Sequence, residues 1–199
     1  MLSGGLTRSA GAALLILLPA AVSGAQAPAT FAPRPPDFFV QIWGDAVADF
    51  NVRVGAYFDL RTRLEVGLPP LAVTANPVDI LVAEFALAAN LRHARQGTRR
   101  GNIFSDEIRA AFRAALLPLM DAETVATILE ENPGSFDHRV DGTYPKERSL
   151  STVPANVLAV LPELPADIQY RFLGRHLVLH DTRANVIVDR MQCAIACRD

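Results

Sequence analysis

The stretch YRFLGRHLVLHDTRANVIVD, residues 170–189, decides the fold of this chain. Between its first two apolar runs, Gly174-Arg175 has the glycine first, as a two-residue type II′ hairpin turn requires. The stretch therefore predicts a three-stranded antiparallel β-meander. Its strands are expected in three runs rich in β-branched and aromatic residues, namely DIQYRFL (167–173), HLVLH (176–180) and NVIVDRM (185–191).

The register of this meander follows from the placement of its two turns. The hairpin at Gly174 places Tyr170 opposite Leu179, and a four-residue loop at 181–184 places Leu179 opposite Val186. On this register one face of the sheet is entirely apolar, and a slip by one residue would destroy the pattern. The predicted core face consists of Ile168, Tyr170, Phe172, Leu177, Leu179, Val186 and Val188.

Two histidines occupy the opposite face of the middle strand. The spacing His176-x-x-x-His180 resembles a metal motif, but that motif places both rings together only on a helix. On one strand the two residues are about 13 Å apart. Zinc–nitrogen bonds are about 2 Å, so the two rings cannot share an ion. The register instead predicts that His176 faces Asp189 as a cross-strand ion pair or hydrogen bond, and that His180 faces Asn185.

The weak candidates for catalysis are His138, His176 and Asp189. His138 lies in FDHRVDGTYP, which the fold is able to bring beside the other two as an acid–base or metal pocket. The alternative, which we favour, is that this segment is a turn, because Asp-Gly and neighbouring polar residues are what turns require. Nucleophile, Walker, dinucleotide and H-E-x-x-H motifs are absent from the sequence, and it predicts no cofactor.

The chain has two cysteines, Cys193 and Cys197. In an oxidising compartment a disulfide between them is the first expectation. Residues four apart in a helix have Cα atoms about 6 Å apart, which a disulfide can bridge. Free or intermolecular thiols and a metal site are the alternatives. The spacing is not C-x-x-C, so it gives no support to a thioredoxin-like or haem-attachment site.

The N-terminal residues have the pattern of a Sec-type signal peptide over 1–27. Arg8 precedes an apolar run that is too short to span a membrane, and an A-x-A signal ends at Ala27. We expect cleavage after Ala27 and a periplasmic or secreted bacterial protein without a transmembrane segment. Residues 28–36 contain four prolines and are expected to form an extended linker.

The rest of the chain, 37–199, is expected to form a single α+β domain. Apolar residues at three- and four-residue steps predict one long helix over 37–67, ended by Gly67 and two prolines. We expect this helix to pack on the apolar face of the meander. A protruding coiled coil, giving an oligomer through the helix 38–66, is the alternative.

Three shorter helices are expected between the long helix and the meander. Asn76 followed by a proline predicts the start of the second helix, and Ser105 the start of the third. Pro118 is expected to end or kink the third helix. Asp121 or the next residue begins a fourth helix, which reaches about Glu131.

Three segments resemble an uncharacterised group of exported bacterial proteins with a C-terminal segment similar to residues 170–189. They are NPGSF (132–136), DGTYPK (141–146) and the run from Val153 to Asp189. The resemblance covers most of the chain after the signal peptide. It implies export and a shared fold, and it carries over no site residue.

These observations predict a non-catalytic periplasmic binding or interaction module, with a protein or small ligand as partner. The formal net charge of −2 gives no field that attracts nucleic acid. The alternative is a hydrolase-like enzyme or metal-binding protein that uses His138, His176 and Asp189.

Overall fold

The computed structural model describes residues 36–68, 76–131, 139–144 and 151–197. Over these residues the fold is α+β, with helices followed by one antiparallel sheet in the order β1-β2-β3, as the sequence predicts. The helices are α1 (Pro36–Glu65), α2 (Pro77–Ala94), α3 (Asp106–Leu116) with a 3₁₀ turn (Leu117–Leu119), α4 (Ala122–Glu130) and α5 (Ala155–Leu158). The strands are β1 (Ile168–Leu173), β2 (His176–Asp181) and β3 (Val186–Met191).

The first hairpin has the predicted register. Tyr170 pairs with Leu179, and Leu173 pairs with His176 across the two-residue turn. Gly174 has a φ of 60°, whereas Arg175 is not among the residues with positive φ. A positive φ at the first central position alone is the signature of a type II′ turn.

The second hairpin differs from the prediction. Its loop is 182–185, one residue later than expected, and Asp181 pairs with Val186. The reason is the Asp181 side chain, whose Oδ1 accepts the N–H groups of Arg183 and Ala184 at 2.9 and 3.2 Å. This local bonding closes the loop after Asp181 and leaves that residue in the strand.

A β-bulge then changes the face of the sheet on which the last residues of β3 lie. His180 pairs with Ile187 but Leu179 pairs with Asp189, so Val188 is an extra residue on β3. Cross-strand partners share a face, and the extra residue therefore moves Asp189 to the core face with Leu179. The predicted pairing of Asp189 with His176 is wrong for two reasons. The later loop shifts the register, so that Asp189 would face Val178 in an unbroken ladder, and the bulge then places Asp189 on the other face.

On the core face, the Asp189 carboxylate is fully buried and accepts backbone N–H groups. Oδ2 accepts from Ile103 and Phe104 at 2.7 and 2.9 Å. Oδ1 accepts from Gly101 at 3.0 Å and from Arg190 at 2.7 Å. The carboxylate thus fixes the loop before α3 on the end of β3.

The long helix α1 covers the core face of the sheet, which confirms that expectation. Phe50, Val54 and Tyr57 of α1 are buried, and the Phe50 ring stacks 6.3 Å from that of Tyr170. At the start of α1, Phe39 remains more than half exposed. Assembly through 38–66 stays a prediction.

The predicted helix starts are also confirmed. The side chains of Asn76, Ser105 and Asp121 accept backbone N–H groups in the first turns of α2, α3 and α4. Pro118 ends α3, because the chain continues as the 3₁₀ turn around it.

The segment 139–144 lies along the outer edge of β3. Ile187 exchanges backbone hydrogen bonds with Asp141 and Gly142, and Thr143 bridges to Val186. Tyr144 then packs with apolar residues on the second face of the sheet, namely Leu173, Val178 and Ile187. One edge of the sheet is therefore covered, and β1 forms the other edge.

Some predictions fall outside the described residues. They are the signal peptide 1–27, the linker 28–36 apart from Pro36, which starts α1, and the position of His138. Among the helices of the described residues, we find none with the length and apolar character needed to cross a bilayer.

Replacing the buried carboxylate tests its role in the fold. We expect Asp189→Ala to lower the free energy of unfolding by about 3 to 5 kcal/mol, because several buried N–H groups lose their acceptor. Urea denaturation measures the difference. The control is Asp59→Ala on the exposed side of α1, with an expected change within about 0.5 kcal/mol. Equal effects of the two substitutions would contradict the role.

Candidate functional site

The structure does not bring the predicted catalytic residues His176 and Asp189 together. His176 lies on the second face of the sheet, and Asp189 lies on the core face after the bulge. Every oxygen of Asp189 is occupied by backbone N–H groups. Asp189 is therefore a structural residue. The position of His138 lies outside the described residues.

His180 is a buried histidine that supports the second face. Its Nε2 lies 3.0 Å from Asn185 Oδ1, and the Asn185 amide donates to the Tyr144 carbonyl at 2.9 Å. Since that amide nitrogen donates to Tyr144, Oδ1 is the acceptor toward His180 and the ring donates from Nε2. Nδ1 is buried and unpartnered among the described residues. The ring is thus held in one neutral tautomer.

A second buried polar group joins α1 to the sheet. Tyr57 donates to Asp181 Oδ2 at 2.7 Å, and Arg61 Nη1 lies 3.4 Å from Asp181 Oδ1. Burial first, and then the charge of Asp181, raise the pKa of Tyr57 far above its ordinary value, so the phenol stays a donor. Sequence reasoning missed this cluster. Its only local signal is that Arg61 follows Tyr57 by four residues and so lies on the same apolar stripe.

The two cysteines form the expected disulfide, although not on a helix. Cys193 and Cys197 have Cα atoms 5.3 Å apart in the turn that follows β3, where Cys193 has a φ of 50°. His176 lies beside them, and its Nδ1 accepts the Cys193 N–H at 3.1 Å. The register therefore joins His176 to the disulfide and not to Asp189.

An open cleft of about 450 Å³ lies beside β1. One wall is formed by α5 and the segments around it, which contribute apolar side chains. The other wall is β1 itself, with Gln169 and Arg171 as polar residues. The apolar residues that line the cleft are Val153, Leu158, Leu161, Pro162, Leu164, Ile168 and Tyr170.

The backbone of β1 points alternately toward β2 and toward this cleft. Thr182 donates to the carbonyl of Asp167 at 2.8 Å across the two strands. Hydrogen-bonded and non-hydrogen-bonded pairs alternate along an antiparallel ladder. The backbone N–H and C=O groups therefore point at β2 from residues 167, 169, 171 and 173. They point outward from residues 168, 170 and 172.

Two of the three outward residues have partners. The N–H of Ile168 donates to the Pro165 carbonyl at 3.2 Å, and the Phe172 carbonyl accepts from Ser151 Oγ at 2.5 Å. Between them, the N–H and C=O of Tyr170 have no partner within the described part of the chain. Tyr170 is only 6% exposed, and unpaired buried backbone groups are costly.

Comparisons with models of protein families, with curated proteins and with solved structures gave no match for this chain.

The buried His180 predicts how stability depends on pH. Burial lowers the pKa of His180, and the charge of Arg171 adds to this, while the bond to Asn185 and the charges of Asp181 and Glu84 oppose it. The unfolded chain binds a proton as the pH falls through about 6.5, and the folded chain binds it only at a lower pH. Stability is therefore present above that pH and is lost as the pH falls below it.

We expect His180→Gln to remove this part of the acid destabilisation. The measurement is the free energy of unfolding in urea at a series of pH values from neutral to mildly acidic. As the pH falls, the free energy of unfolding is expected to decrease less steeply for the variant than for the parent, whatever the stability of the variant at neutral pH. An identical slope in both proteins would show that His180 is not the group involved.

Proposed function

We propose that this protein is a non-catalytic binding module of the periplasm or the cell exterior, which binds an extended peptide segment of a partner protein in the cleft beside β1. The peptide adds to the sheet as a strand next to β1. Export is supported by the signal-like residues 1–27 and by a disulfide, which suits an oxidising compartment.

The observation that carries this proposal is that the N–H and C=O of Tyr170, on the edge strand β1, have no partner among the residues that the structure describes. An extended peptide supplies one acceptor and one donor at the spacing that such a residue needs. Strand addition of this kind gives affinity through the main chain, with specificity from pockets for alternate side chains. The other edge of the sheet is already paired with 141–144.

The walls of the cleft fit the side chains of such a peptide. On the wall opposite β1, Leu158 is 46% exposed and Leu161 is largely buried. Leu158 therefore gives apolar surface at the rim of the cleft, and Leu161 gives apolar surface at its floor. Glu163 and Arg171 add one charge of each sign. The cleft therefore suits a peptide with apolar residues on the side that faces α5 and polar residues elsewhere.

A panel of extended peptides with alternating apolar residues provides the test. The purified protein is applied to the immobilised panel, and the tightest binders are measured in solution by calorimetry. Each is compared with the same peptide carrying an N-methyl group at the central residue. Loss of one main-chain hydrogen bond is expected to weaken binding by about tenfold.

Two matched variants locate the binding. Leu158→Glu places a charge on the wall of the cleft and is expected to weaken binding of those peptides by more than the N-methyl group does. Leu129→Glu, on α4 outside the cleft and 38% exposed, is expected to bind as the parent does. Equal binding by all three proteins, or indifference to N-methylation, contradicts the proposal.

A further inference from the structure

The corner where His176 meets the disulfide contains three metal-ligand atoms. One ring nitrogen of His176 and the sulfurs of Cys193 and Cys197 all lie within 4.8 Å of one another. Two ligands that are each 2.0 to 2.3 Å from a tetrahedral zinc ion lie about 3.3 to 3.8 Å apart. The sulfurs are bonded to each other in the disulfide, so they have to separate after reduction, and the ring nitrogen has to approach them by about 1 Å.

The geometry of this corner does not depend on the disulfide alone. From α3, Arg113 donates to the carbonyls of Gln192 and Cys193 at 2.8 and 3.3 Å. From the first hairpin, Arg175 donates to the Ala196 carbonyl at 2.7 Å and accepts the Ile195 N–H at 3.2 Å through its own carbonyl.

Burial fixes the same segment between the two cysteines. Ala194 and Ile195 pack into the main core and are less than a tenth exposed. The turn is thus held by both the core and the arginines when the bond between the sulfurs is broken.

We propose that reduction of the Cys193–Cys197 disulfide converts this corner into a Cys₂His site for a thiophilic divalent ion of the Zn²⁺ type. A dithiol donor transfers two electrons and two protons to the disulfide and becomes a disulfide itself. The ion then binds both sulfurs as thiolates and releases the two thiol protons.

The histidine binds the ion only after one hydrogen bond is exchanged. Nδ1 accepts the Cys193 N–H, so Nδ1 carries the lone pair of the neutral ring and Nε2 carries the proton. An ion bound at Nδ1 therefore replaces the Cys193 N–H at that nitrogen. Both His176 and Cys193 are partly exposed and Cys197 is exposed, so an ion reaches the site from solvent. Three protein ligands leave the fourth tetrahedral position to water or to an incoming group.

Cobalt(II) is the probe, because it substitutes for zinc and its complexes with thiolates absorb light. The full-length protein is reduced with a phosphine, which becomes the phosphine oxide and leaves no competing thiol. Titration with Co²⁺ is expected to give a thiolate-to-cobalt charge-transfer band that saturates at one ion per chain, and Zn²⁺ is expected to displace it. The protein with its disulfide intact is expected to give no such band.

The contribution of His176 is measured with two histidine variants. In the reduced state, His176→Ala is expected to bind Co²⁺ at least about tenfold more weakly, which is the least that loss of a supporting partner costs at metal sites. His93→Ala, on α2, is the matched control and is expected to bind as the parent does.

Three results would overturn the proposal. The first is the absence of a charge-transfer band in the reduced protein. The second is equal affinity of His176→Ala and the parent for Co²⁺, because the two cysteines alone would then bind the ion. The third is loss of the far-ultraviolet circular dichroism spectrum on reduction, because the arginine and core contacts are then insufficient to hold the turn.

Discussion

The structure depends on one buried carboxylate. Asp189 accepts four backbone N–H groups, three of them from the loop before α3, and so joins the last strand to the helical layer. A buried charge of this kind is stable only when hydrogen bonds replace its hydration. The bulge at Val188 makes this possible, since it turns a residue of the second face toward the core.

The two edges of the sheet have different environments. The outer edge of β3 is paired with 141–144, and this pairing brings Tyr144 over the second face. The edge of β1 is bonded at Ile168 and Phe172, whereas the backbone of Tyr170 has no partner in the described ranges of the chain. Proteins normally cover or shorten open edges because they invite pairing with another chain. An edge that is open at one residue inside an apolar cleft is suited to controlled pairing with a partner.

The end of β3 connects the fold to the C-terminal corner. Beyond the bulge, Leu177 pairs with Met191, so the turn with Cys193 lies beside His176 at the start of β2. The later loop and the bulge together separate Asp189 from His176, and the neighbour of His176 is instead the turn with Cys193. His176 and the turn with the cysteines lie apart from the Asp189 carboxylate, and that turn has its own hydrogen bonds to α3 and to the first hairpin.

The sequence by itself determined the order of helices and strands, the helix caps at Asn76, Ser105 and Asp121, and the first hairpin. These features depend on contacts between residues a few positions apart, whose signals are the period of apolar residues, capping side chains and a glycine in a turn. Only the tertiary structure decided the bulge at Val188 and the open edge at Tyr170. Three of the four partners of Asp189 are 85 to 88 residues away in the chain, and no local pattern records which backbone groups a carboxylate will meet after packing.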